Sequence, residues 1–86
     1  MRARRVPVQD EVIRDGESVV LLDRQVIRLS AIGTTLLELT GDWRELEELT
    51  VDLTDRFGQP PAGFDATAMT EAALQALHGQ GLVELG

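Results

Sequence analysis

Cysteine is missing from this chain, and so is lysine; histidine occurs once, as His78. Without cysteine there is no disulfide framework and no thiolate metal site. A single histidine cannot anchor a conventional transition-metal site unless carboxylates supply nearly every ligand. Aromatics are almost absent as well (Trp43, Phe57 and Phe64), so the core has to be built from Leu, Val, Ile and Ala. No apolar run approaches the ~20 residues that cross a bilayer, and no signal-peptide core follows the basic N-terminus. A cytoplasmic protein without membrane attachment is therefore expected. All the basic residues are arginine, which points to a GC-rich genome more than to a mechanism.

What is present fits one small folded domain. The chain has 86 residues, of which 43% are hydrophobic, enough for a single core. Its net charge of −7 is unevenly spread: Arg2, Arg4 and Arg5 are all basic, so the rest carries −10. An acidic body disfavours nucleic acid, whose affinity for proteins comes largely from Lys and Arg neutralising phosphates. Residues 1–5 read as a flexible basic arm, either a frayed terminus or a contact for an acidic partner; residues 6–86 read as the domain.

The chain divides into a β half and a helical half. Val6 and Val8 alternate with Pro7 and Gln9, as at a sheet edge or strand start. Val12-Ile13 leads into the turn Arg14-Asp15-Gly16-Glu17, where Gly16 can adopt a positive φ. Ser18 to Leu22 is apolar on both faces, which predicts a middle strand covered on both sides. After the tight connection Asp23-Arg24, Gln25 to Leu29 is the third strand, with Ile27 and Leu29 facing the core and Val26 and Arg28 facing away. Ser30 then caps a helix from about Ala31 to Thr40, on which Ile32, Leu36 and Leu39 share helical spacing. Asp42 and Glu45 have the spacing of a capping box. The helix it would start carries Trp43, Leu46, Leu49, Leu53 and Phe57 on one stripe and Glu47, Glu48, Asp52 and Asp55 elsewhere. That acidic face is what a solvated helix surface looks like.

The third helix begins at Asp65 and ends before Gly81. Thr70, Ala73, Leu74 and Leu77 point toward the core, whereas Met69, Ala72, Ala76 and Gln80 lie on the adjoining flank. Alanines there leave either a shallow apolar trough or a surface for close packing. Leu82 and Leu85 are expected to fold back onto the core. The expected class is α+β, winged helix-turn-helix-like, with a three-stranded antiparallel sheet followed by three helices. No nucleophile stands with a base and an orienting acid. Gly41, Gly58 and Gly81 follow helices instead of preceding them, so there is no phosphate-binding loop. No catalysis, metal or cofactor is expected.

Val20-Leu21-Leu22-Asp23, Val26-Ile27-Arg28-Leu29-Ser30, Ala31-Ile32-Gly33 and Leu36-Leu37-Glu38-Leu39 resemble the front half of a PqqD-like protein. Leu46, Leu49, Leu53, Arg56-Phe57-Gly58, Leu74, Leu77 and Gly81-Leu82-Val83 resemble the back half, so the likeness spans about residues 6–85. It departs at Ser30, where that family commonly has Asn. The resemblance implies a RiPP recognition element, a bacterial domain that binds the leader of a ribosomally made precursor peptide. Binding of that kind adds the leader as a strand to the third strand. It implies a site made of Gln25, Val26, Ile27, Arg28 and Leu29 on that strand, with Met69, Ala72, Ala73, Ala76 and Gln80 as the helical wall. It also implies a discrete protein acting in trans for a leader peptidase, as in lasso-peptide pathways, or for a radical-SAM enzyme or cyclodehydratase. An exposed edge predicts either a monomer or an edge-paired dimer. Two other readings compete. A winged-helix DNA-binding regulator would need a basic recognition helix, and neither the second nor the third helix is basic. A non-catalytic adaptor in an assembly would dock through the acidic helix.

Overall fold

Residues 1–86 are all described by the computed structural model. In chain order the elements are β1 (Arg2–Arg5), β2 (Asp10–Arg14), β3 (Glu17–Leu22), β4 (Gln25–Leu29), α1 (Ala31–Leu39), β5 (Arg44–Glu45), α2 (Leu46–Phe57), α3 (Ala66–Gly79) and β6 (Val83–Leu85). The strands form two antiparallel sheets of three, ordered β2-β3-β4 and β5-β1-β6. The α+β class and the three-stranded sheet with three helices are as expected; the second sheet is not.

The β2-β3-β4 sheet is two consecutive hairpins. Asp15 and Gly16 have φ of 55° and 79°, and Asp23 and Arg24 have φ of 49° and 66°. Both pairs therefore make type I′ two-residue turns, whose twist matches that of the flanking strands. Strand β3 is the middle strand, and its Ser18 and Val20 face inward and are buried. Its other face, expected to be covered, is open: Val19 is 37% exposed, beside Val12 at 56% and Val26 at 70%. All three helices pack on the inner side of the molecule, which leaves the outer face of a small sheet without a second layer.

Helix α1 is the hub. Gly33, Thr34, Thr35, Leu36 and Leu37 are all buried, because α1 touches β3, β4, α2 and α3 at once. Ser30 caps it by accepting the Gly33 amide at 3.3 Å, and the Thr34 hydroxyl shares a buried 2.8 Å hydrogen bond with Ser18 of β3. That bond satisfies two polar groups that burial would otherwise penalise. Leu49 and Leu53 of α2, Leu74 and Leu77 of α3, and Leu82 complete the core. Helix α3 ends in a Schellman turn: Gly81 takes φ 78°, its amide bonds His78 O at 2.9 Å, and the Leu82 amide bonds Leu77 O at 2.9 Å. The turn tips Leu82 back into the core, as expected.

Four expectations change. Residues 1–5 are not a loose arm, because Arg2–Arg5 is the central strand of β5-β1-β6 and Ala3 is fully buried. The first strand of the hairpin sheet starts at Asp10; Val6 to Gln9 is a link between the sheets, with the Val6 amide held by Leu82 O at 2.8 Å. The capping box of α2 lies one turn later than Asp42–Glu45: Glu45 is the N-cap and Glu48 the reciprocal partner. Arg44 and Glu45 cannot enter the helix because they pair with β1. Trp43 accordingly sits before α2 and stacks under the guanidinium groups of Arg2 and Arg4, at 4.5 Å and 4.8 Å from the ring centre.

Candidate functional site

Gln25 to Leu29 form β4, which lies at one edge of its sheet with β3 as sole neighbour. Its free hydrogen-bonding groups follow from register. Leu22 and Gln25 flank the two-residue turn and are the hydrogen-bonded closing pair. Alternation along an antiparallel ladder makes Val20–Ile27 and Ser18–Leu29 the next bonded pairs, with Leu21–Val26 and Val19–Arg28 between them. The N–H and C=O groups of Val26 and Arg28 consequently point away from β3, out of the sheet edge. The opposite edge, β2, is blunted: the Glu11 amide, outward by the same alternation, is taken by the Asp10 carboxylate at 2.8 Å.

Side chains on β4 alternate as expected. Leu29 is buried, Ile27 is half-buried against the core, and Val26 and Arg28 are exposed on the outer face. Where β4 ends, an apolar cleft of about 470 Å³ begins. Ser30 and Ile32 form one lip, and Met69, Thr70 and Ala73 of α3 form the opposite wall. Leu53 and Phe57 of α2 and the Pro60-Pro61 loop close its end. Edge and cleft are continuous through Ser30, and Gly33 of α1 sits where an added Cβ would touch both Leu29 and Leu77, between β4 and α3.

The expected helical wall divides. Met69 and Ala73 line the cleft, whereas Ala72, Ala76 and Gln80 are exposed on α3 outside it. Sequence reasoning also missed part of the site. Phe57, on the apolar stripe expected for α2, is 44% exposed at the cleft, and Ile32, which shares helical spacing with Leu36 and Leu39, is 38% exposed there. The available signal was Phe57-Gly58 followed by Pro60-Pro61: an aromatic at a helix end before a stiff loop has little buried surface left to fill. No family model, curated protein or solved structure matches the chain.

His78 is not part of this site; its Nδ1 lies 3.1 Å from Val83 O at the far end of α3. No group of His, Asp or Glu is arranged to hold a metal ion. No helix is long and apolar enough to cross a membrane. The chemistry on offer is main-chain hydrogen bonding beside an apolar cleft.

Proposed function

We propose that this protein binds the leader segment of a ribosomally synthesised precursor peptide by strand addition to β4 and presents it to a modifying enzyme or leader peptidase. The observation that carries the reading is the unpaired β4 edge running directly into the apolar cleft. A peptide added there would take main-chain hydrogen bonds from Val26 and Arg28. Its inward side chains near Leu29 would meet Ile32, Met69 and Ala73. Backbone bonding supplies affinity and pockets for alternate side chains supply selectivity. The resemblance of residues 6–85 to PqqD-like recognition elements supports the same reading, and the β4 edge is the strand that resemblance nominates. An enzymatic role for the chain itself is not part of the proposal.

The charge distribution favours peptide over DNA. Helix α2 exposes Glu47, Glu48 and Asp55, and the arginines before it and in its last turn, Arg44 and Arg56, are already paired with Asp52 at 2.8 Å and Glu38 at 3.4 Å. A helix so arranged repels a phosphate backbone.

The test is fluorescence anisotropy with a panel of labelled precursor leader peptides, with labelled duplex DNA alongside at physiological salt. Saturable micromolar binding to a leader, weakened at least about tenfold by Met69→Glu without a change in melting temperature, is the expected result. Binding to DNA alone overturns the reading.

A further inference from the structure

Five of the eight arginines are engaged within the fold. Arg4 pairs with Glu84, Arg5 with Glu11, Arg44 with Asp52 and Arg56 with Glu38, while Arg2 stacks on Trp43. The remaining three, Arg14, Arg24 and Arg28, form no ion pair although the chain holds 15 carboxylates, and all three belong to the β2-β3-β4 hairpins. Arg28 is the one on the open edge itself. It is exposed on the outer face, directly across from Val19, and it shares a hollow with Val12, Val19, Arg14 and the carboxylates Asp15 and Glu17, neither of which forms an ion pair with it.

We infer that the strand added to β4 carries a carboxylate opposite Arg28, so that this edge selects extended peptides combining an acidic outer-face residue with apolar inner-face residues. The inference rests on the strand-addition reading and deepens it by naming the substrate's chemistry. Its geometry follows from the ladder. Because the main-chain groups of Arg28 point out of the edge, an antiparallel peptide residue opposite it forms a hydrogen-bonded pair, with Cα atoms about 5.5 Å apart, within reach of a long guanidinium side chain. Side chains opposite each other share a face in either strand direction, so this residue projects beside the guanidinium. The residue opposite Val26, two positions away, joins the exposed apolar surface of Val12, Val19 and Val26. Residues between and beyond turn inward to the cleft.

Arg28 thereby sets register. A slip by one residue moves the carboxylate to the apolar inner face, where burying it is costly. A slip by two separates it from the guanidinium. The acidic remainder of the protein repels the same carboxylate, so the free arginine on an otherwise negative body is the discriminating contact.

The experiment is selection from a displayed library of random linear dodecapeptides, run in parallel on the wild-type protein and Arg28→Glu. The expected wild-type pool has Asp or Glu at one fixed position flanked at alternate positions by apolar residues. The expected Arg28→Glu pool replaces that acid with Lys or Arg. For one wild-type-selected peptide, changing its acid to the neutral amide weakens binding roughly two- to fivefold, and Arg28→Glu weakens the unmodified peptide about tenfold or more. An enriched pool with no acidic position, or no loss on amidation, overturns this inference alone. A pool with no enrichment overturns strand addition and this inference with it.

Discussion

At the scale of single residues, the two hairpin turns contrast. Asp15-Gly16 places glycine at the second left-handed position, where no Cβ opposes a φ of 79°. Asp23-Arg24 asks an arginine to adopt φ 66° at the equivalent position, a conformation that costs an L-residue with a Cβ about 1–2 kcal/mol. The turn precedes β4, so its twist aims the open sheet edge. Arg24→Gly is expected to raise stability by about 0.5–1 kcal/mol, the relief of strain being partly offset by the greater freedom of glycine in the unfolded chain. Urea unfolding measures it, and a loss of stability would mean that the Arg24 side chain contributes something its lack of partners does not reveal. The caps at Ser30 and Asp65 are the counterpart case. Each accepts the amide three residues on, at 3.3 Å and 2.8 Å, and both were readable from residue type beside a helical run.

At the scale of elements, β4 carries two sets of main-chain groups on alternate residues, one bonded to β3 and one pointing out of the sheet. A proline at Val26 removes an N–H that points out of the sheet, whereas a proline at Ile27 removes one that bonds Val20. Val26→Pro is therefore expected to stay within about 1 kcal/mol of wild-type stability yet lose roughly tenfold in peptide affinity, a cost of the size of one hydrogen bond. Ile27→Pro is expected to lose about 3 kcal/mol or more of stability. Melting curves together with anisotropy separate the two, and equal loss of stability in both variants would show the register argument to be wrong. The strand, its bounds and its facing were legible because strict alternation ran between two turn signals. Helix α1 is legible in extent but not in facing: the helical spacing of Ile32, Leu36 and Leu39 does not single out the buried residues, which are Gly33, Thr34, Thr35, Leu36 and Leu37. A helix packed on several sides at once has no single stripe to read.

At the scale of the whole molecule, the β5-β1-β6 sheet ties the beginning of the chain to its end. Strand β1 pairs Arg2–Ala3 with Arg44–Glu45 and Ala3–Arg5 with Val83–Leu85, and the Arg5 amide also holds Thr40 O at 2.8 Å. Ala3 fills the core beside Leu46, Leu82 and Val83. Deleting residues 1–5 is therefore expected to cost more than about 2 kcal/mol, since it removes a central strand and leaves those apolar groups uncovered. A frayed terminus would cost almost nothing. Chemical denaturation of the truncated chain decides between the two, and an unchanged midpoint would restore the arm.

Local chemistry determined much of this protein without any structure: the three helices, the caps at Ser30 and Asp65, the middle strand, and the exposure of Val26 and Arg28 on β4. These are properties of contiguous residues, set by turn geometry, period and capping within a few positions of each other. Only the tertiary structure decided the rest. Arg2–Arg5 carries no strand pattern that apolar alternation could expose, and it becomes a strand because Arg44–Glu45 and Val83–Leu85 arrive on either side of it. The same pairing displaces Trp43 from α2 and moves the capping box by one turn. The cleft joins Ser30, the Phe57 to Pro61 stretch and Met69 from three separate places in the chain. Which arginines remain unpaired is likewise a matter of distances between remote groups, which no window of neighbouring residues contains.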